Sequence, residues 1–179
     1  MFASKISRIL FFKLSAVDSG ENLKLKTQEY LEKQKTMFQA TFETGRGLFV
    51  KVDVLEFDKD SGKWNIYEIK ASSSIKTDLQ HNHLKDITFQ TIAAEESEVK
   101  INKSFIIHIN KEYRRDGEIN PRALFVIEDV SKDIQKDKDN VSQEIKTALD
   151  LLSKDEVPLE GCECLYRSHG QRCDSFTVF

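Results

Sequence analysis

An aspartate in the middle of a hydrophobic run needs a compensating partner. Asp53 sits in Phe49-Val50-Lys51-Val52-Asp53-Val54-Leu55, where an unpaired carboxylate is costly. One turn further on, Glu68 and Lys70 occupy alternate positions of the segment Trp64 to Lys70, so the two-residue period of a strand sets both side chains on one face. Reversing the chain at Asp58-Lys59-Asp60-Ser61-Gly62 brings that face alongside Asp53. Two carboxylates at one edge of a sheet make an oxygen site suited to Mg2+ (or Mn2+), a hard cation that takes a few carboxylates, waters and substrate phosphate. A lysine beside them orients an attacking water or offsets charge developing on a phosphoryl group. On the residues alone, the alternative is a network of Asp-Lys and Glu-Lys pairs on a solvated sheet face.

These side chains require a scaffold, and the hydrophobic pattern supplies one. Phe49 to Phe57 alternates as a strand, with Val50, Val52 and Val54 on one face and Phe49, Lys51, Asp53, Leu55 and Phe57 on the other. Trp64 to Lys70 is its antiparallel partner across the turn. Leu23 to Thr36, rich in Lys, Glu and Gln, suits a solvated helix, and Ser15 to Glu21 before it reads as a turn. Leu84 to Glu96 has no Gly or Pro and spaces Leu84, Ile87 and Ala94 at helical intervals. Ser104 to Ile109 and Ala123 to Val130 read as buried strands separated by the charged loop Asn110 to Pro121. Asp139 to Leu152 closes the core as an amphipathic helix with Val141, Ile145, Ala148, Leu149 and Leu152 on one stripe. The expected class is α/β, a small mixed sheet flanked by helices.

A chain of 179 residues, 39% hydrophobic and 32% charged, fits one domain with a real core. No apolar run approaches the roughly 20 residues of a membrane span, and Ile6 to Leu14 lacks a signal-peptide cleavage pattern. The expectation is a soluble, cytoplasmic protein with no membrane partner. The net charge of −3 argues against binding nucleic acid through a general basic field, yet a metal-dependent phosphodiesterase concentrates carboxylates in its cleft.

The string Val52-Asp53-Val54-Leu55, then Trp64-Asn65-Ile66-Tyr67-Glu68-Ile69-Lys70-Ala71-Ser72, then Asp86-Ile87-Thr88-Phe89-Gln90 resembles the core of RecB-like PD-(D/E)XK nucleases. It is similar to a bacterial branch related to CRISPR-associated iron-sulfur exonucleases, and Asn110 to Gly117 resembles the loop after the next strand in that branch. The resemblance runs from about Met37 to Phe176. It implies a restriction-endonuclease-like core over residues 37–155, an N-terminal helical segment over 1–36 and a cysteine segment over 156–179. It makes Asp53 and Glu68 metal ligands, Lys70 the catalytic lysine and Gln90 the glutamine that lies against the site; a helix-surface amide is the alternative for Gln90. Two positions depart from the pattern. Ala94 stands where an aromatic is common, and Gln39 stands where many members carry an acidic residue on a helix before the first active strand. Glu43 is offered as an accessory ligand, with a loop carboxylate as the alternative.

Cys162, Cys164 and Cys173 cluster as thiolates at a metal or cluster site do, and resemble the C-terminal cysteine group of the cluster-bearing nucleases. A 4Fe-4S cluster takes four cysteines and the chain has three. The fourth thiolate would come from a missing N-terminal part or a protein partner, or His169 would complete a Zn2+ site; three free thiols is the remaining alternative. His81-Asn82-His83 is too short a match to indicate an HNH nuclease. Arg46, Lys76, Lys85, Arg114 and Arg115 flank the motif as candidate contacts to DNA phosphates, against the alternative of ordinary surface charges. The leading expectation is a metal-dependent DNA nuclease acting in repair or defence, at strand ends or in DNA processing. The competing ones are a catalytically decayed nucleic-acid-binding or assembly module of the same fold, and a structural metal-bound domain of a larger protein.

Overall fold

The turn that joins the two motif strands is built by its own side chains. Asp58 accepts the Asp60 amide and the Ser61 hydroxyl, and its backbone oxygen accepts the Gly62 amide at 2.9 Å. Gly62 has φ of +68°, a backbone conformation that a side chain would strain. The structure, a computed structural model, describes residues 20–78 and 81–154.

Around this hairpin the described residues form α1 (Gly20–Glu32), β1 (Met37–Glu43), β2 (Phe49–Asp58), β3 (Lys63–Ile69), α2 (His83–Glu96), β4 (Ile101–Ile109), α3 (Pro121–Leu124), β5 (Phe125–Asp129) and α4 (Ser131–Leu152). The architecture is α/β: one five-stranded mixed sheet in the order β1-β2-β3-β4-β5, flanked by helices. Neighbouring strands are antiparallel except β3 and β4, which run parallel because α2 carries the chain back between them.

The register separates two faces. Leu55 lies beside Ile66, and Ile66 beside Ser104; this side packs on Ile87, Ile92, Ala93 and Ala94 of α2 and on Ile134, Val141 and Ile145 of α4. Val54, Tyr67, Phe105 and Ile107 form a second cluster on the other side, with the Tyr67 and Phe105 rings stacked 4.8 Å apart. The helix α2 is buried over most of its surface, and its buried threonines stay satisfied there. Thr88 and Thr91 bond back to the Leu84 and Ile87 carbonyls, and Thr91 also meets Ser104. Asn82 caps its start by accepting the Lys85 amide.

Several boundaries differ from the sequence expectation. Met37 to Glu43, to which the hydrophobic pattern assigns no element and where the resemblance sets Gln39 at a helix position, is the edge strand β1, paired rung by rung with β2. Its mix of Phe and Thr suits a half-buried strand, and Thr27 of α1 accepts the Thr41 amide. The first helix ends at Glu32 and not Thr36, with Gln34 just beyond it at φ of +49°. The last helix starts at Ser131 and not Asp139, because Ile134 lies two turns before Val141 on the same buried stripe. Ala123 and Leu124 belong to the single turn α3, opened by Pro121 and capped by Asn120, and not to β5. The alternation expected along β2 also breaks: Val50 and Val52 join the α2 side while Val54 faces away.

Among the described residues no helix is long and apolar enough to cross a membrane. Ile66 is fully buried at the centre of the sheet, so Ile66→Ala is expected to cost about 2–5 kcal/mol of stability by losing apolar contact and leaving a cavity. Urea unfolding followed by circular dichroism measures this, and a loss under about 1 kcal/mol would show that the core does not close on β3 as described.

Candidate functional site

The sheet forks at Asp53. The β2–β3 ladder reaches Val54 and Tyr67, and beyond that rung β3 stays with β4, the Lys70 amide donating to the Ile107 carbonyl at 2.9 Å. At the fork the Ile69 amide donates to Asp53 Oδ2 at 2.9 Å, so a side chain replaces what would have been a backbone ladder bond. From the opposite strand Gln39 donates to Asp53 Oδ1, also at 2.9 Å. Gln39 has φ of +54°, and its rung is where the packing changes sides. Phe38 packs with Val54 in the smaller cluster, whereas Ala40 and Val52 belong to the larger one. The departure at Gln39 therefore has a structural consequence: an amide, not a carboxylate, braces Asp53.

Glu68, two residues from Ile66, faces α2, and Asp53, at the break in the β2 alternation, lies close enough for its charge to act on Glu68. Residues from the end of β3 and from α2 then close a ring. Lys70 Nζ meets Glu68 Oε1 at 2.7 Å and also bonds Asp86 Oδ2. Gln90 Nε2 donates to Glu68 Oε2 at 2.9 Å and to Asp86 Oδ1 at 3.2 Å. Both oxygens of both carboxylates are used. Asp86 and Gln90 fall one turn apart on one face of α2, the spacing at which helical side chains meet. Asp86 stands within the motif string Asp86-Ile87-Thr88-Phe89-Gln90, and its helical spacing to Gln90 is the sequence signal for its place in the ring.

The charges around the ring are unequal. Asp53, Glu68 and Asp86 contribute three carboxylates against the single ammonium of Lys70. Burial pushes the Glu68 carboxyl above its usual range, with the charge of Asp53 adding to the rise and Lys70 and Gln90 opposing it. Burial alone would lower Lys70, but its hydrogen bonds to Asp86 and Glu68 outweigh this and hold the ammonium above its ordinary value. His83, at the start of α2, is pushed down by burial and then by the positive charges of Lys70 and Lys76. Its Nδ1 accepts the Lys76 amide at 3.1 Å, which leaves the ring proton of the neutral form on Nε2.

Gln90 Oε1 is buried with no hydrogen-bond partner. The amide cannot be turned to relieve it, because Nε2 faces two carboxylates. An orphaned acceptor beside an excess of negative charge suits a water or a hydrated cation. Among the described residues no three acidic, His or Cys side chains converge on one ion position. The donor chemistry of the pair Asp53 and Glu68 is that of a magnesium-like ion, which binds through one or two carboxylates and keeps several waters.

The remaining sequence candidates are dispersed. Glu43 lies at the far end of β1 opposite Phe49 and pairs with Lys24, four strand residues from Gln39 or about 13 Å, so it does not join Asp53. Arg46 is bonded to Glu96 and Lys85 to Glu144, which ties both to helix carboxylates. Arg114 donates to the Lys111 and Tyr113 carbonyls and Arg115 to that of Gly117. His81 and Asn82 serve the turn before α2, the His81 amide donating to Asp78. Cys162, Cys164, Cys173 and His169 lie outside the described residues.

Fold and site together define an α/β domain in which a forked strand pair and one helix assemble a carboxylate, ammonium and amide cluster. No protein-family model matches the chain, and no curated protein matches it.

The raised carboxyl of Glu68 carries a pH signature. A group whose folded pKa exceeds its unfolded value favours folding at low pH, and this contribution is lost as pH rises through the folded value. Without divalent ions, the stability of the wild type relative to Glu68→Gln is expected to fall as pH rises from about 4, the ordinary carboxylate range, to neutrality. Thermal unfolding of both proteins across that pH series checks it, and a difference that is flat or of opposite slope contradicts it.

Proposed function

We propose that the chain is a metal-dependent nuclease domain of the RecB-like PD-(D/E)XK kind, hydrolysing phosphodiester bonds of DNA in the cytoplasm. The observation that carries the reading is the convergence of Asp53, Glu68, Lys70 and Gln90 at one fork of the sheet, from β2, β3 and α2. Asp53 and Glu68 would hold Mg2+ or Mn2+, which when bound polarises the phosphate and lowers the pKa of a coordinated water. The chain's own groups do the rest. Lys70 holds its charge at the mouth of the carboxylate pair, where it steadies the attacking water and offsets charge on the phosphoryl oxygens. Gln90 fixes the Glu68 carboxylate in orientation, and Gln39 with the Ile69 amide fixes Asp53. DNA would be held mainly by its phosphates; among the five basic residues singled out, Lys76 makes no side-chain bond among the described residues and is the best placed to serve. The cysteine segment would hold a 4Fe-4S cluster or Zn2+, completed by a further thiolate or by His169.

A second reading has one specific observation in its favour. Gln39 braces Asp53 where a further carboxylate would strengthen a metal site, as in a nucleic-acid-binding or assembly module that has lost its activity.

Cleavage of labelled single- and double-stranded DNA with magnesium, manganese or chelator separates the two. The expected result is metal-dependent cleavage. Lys70→Met should fold and bind metal and DNA yet lose about 10²-fold or more in rate, on the scale of removing one preorganised electrostatic donor. Asp53→Ala should also lose metal binding, read by calorimetry with manganese. Near-normal cleavage by folded Lys70→Met removes the catalytic assignment.

A further inference from the structure

We propose that Asp86 is a positioning residue for Lys70, and that the nuclease reading of the site gives this role its catalytic meaning. A lysine ammonium on a four-carbon stem is a freely rotating point charge unless something fixes it. Glu68 alone cannot fix it, because Glu68 is two residues away on the same strand and is the carboxylate that a metal ion would claim. Asp86 comes from a different element and carries the load that Glu68 would shed. Its Oδ2 takes the Lys70 ammonium while its Oδ1 takes the Gln90 amide. It thus ties the ammonium to the amide that orients Glu68.

The exposure gradient supports this division of labour. The side chain of Glu68 is 9% exposed, that of Lys70 20% and that of Asp86 42%. Asp86 is the outermost member, so it can keep hold of Lys70 when an ion draws on the inner carboxylate. An acidic residue in the first turn of α2 also interacts favourably with the helix dipole. That purely structural role would affect stability, and it would not make the effect of Asp86 depend on Lys70.

The test uses the full chain and a double-mutant cycle of Asp86→Asn and Lys70→Met, with circular dichroism to confirm folding. Asp86→Ser is the second variant should Asp86→Asn fail to fold, since Ser is no worse a helix former than Asp at an interior position. With saturating manganese and a labelled DNA duplex, Asp86→Asn is expected to lower kcat about tenfold with KM unchanged, a loss confined to the transition state. In the Lys70→Met background the same change should have no further effect on the residual rate, because the two residues act as a unit. Equal slowing in both backgrounds would overturn the proposal. A readout independent of cleavage is the Lys70 ammonium resonance in nitrogen-labelled protein, assigned by its absence in Lys70→Met. It should be protected from solvent exchange in the wild type and lose that protection in Asp86→Asn; unchanged protection overturns the proposal. If the wild type cleaves nothing, the nuclease reading falls, while this resonance still decides whether Asp86 positions Lys70.

Discussion

A carboxylate held under a hydrophobic helix has to be balanced, and the balancing of Glu68 organises this protein. Glu68 stands between Ile66 and the end of β3, faces α2, and is nearly excluded from solvent. Leaving it unpaired would cost several kcal/mol. Lys70 meets one oxygen and Gln90 the other, so the helix must approach the strand at a height that places Gln90 over Glu68. Asp86 follows one turn earlier and closes the ring. The position of α2, the parallel pairing of β3 with β4 and the burial of Ile87 and Ala94 are all consistent with this one height.

The fork between β2 and β3 is the counterpart in the sheet. Two strands of a hairpin normally continue their ladder, and here the ladder stops because Asp53 accepts the Ile69 amide with its side chain. The strained backbone at Gln39 lies on the same rung, where it lets the edge pair turn its apolar side chains toward the α2 side. A local irregularity thereby does two things at once. It opens the sheet where two carboxylates converge, and it brings Val50, Val52 and Phe42 into the main core.

The site is therefore built at a cost to stability. Two carboxylates share one ammonium with the charge of Asp53 beside them, Glu68 is less willing to ionise than an ordinary carboxylate, and Gln90 Oε1 is left unpaired. Such features persist where surrounding structure over-determines them, and they are common where a protein binds or transforms a ligand. The satisfied polar groups of the same helix make the contrast clear. Thr88 and Thr91 are as deeply buried as Gln90, and both bond back into their own helix.

The sequence by itself determined the strand pair around Asp58 to Gly62, the helical stretch from Leu84 to Glu96, the α/β class, and the grouping of Asp53, Glu68 and Lys70. Period-two and period-3.6 patterns report which side chains share a face, and a tight turn fixes which strands are neighbours. Tertiary structure alone decided the rest. Met37 to Glu43 became a strand because β2 offers it a pairing edge, and Ile134 drew the last helix back to Ser131 because the core reaches that far. Glu43 was separated from the site by the length of an extended strand, a distance that spacing in sequence does not express until the element type is known. Asp86 joined the site because helix and strand approach at one particular height. Periodicity gives the face of an element and is silent about its height and tilt against a neighbour, which side-chain packing sets.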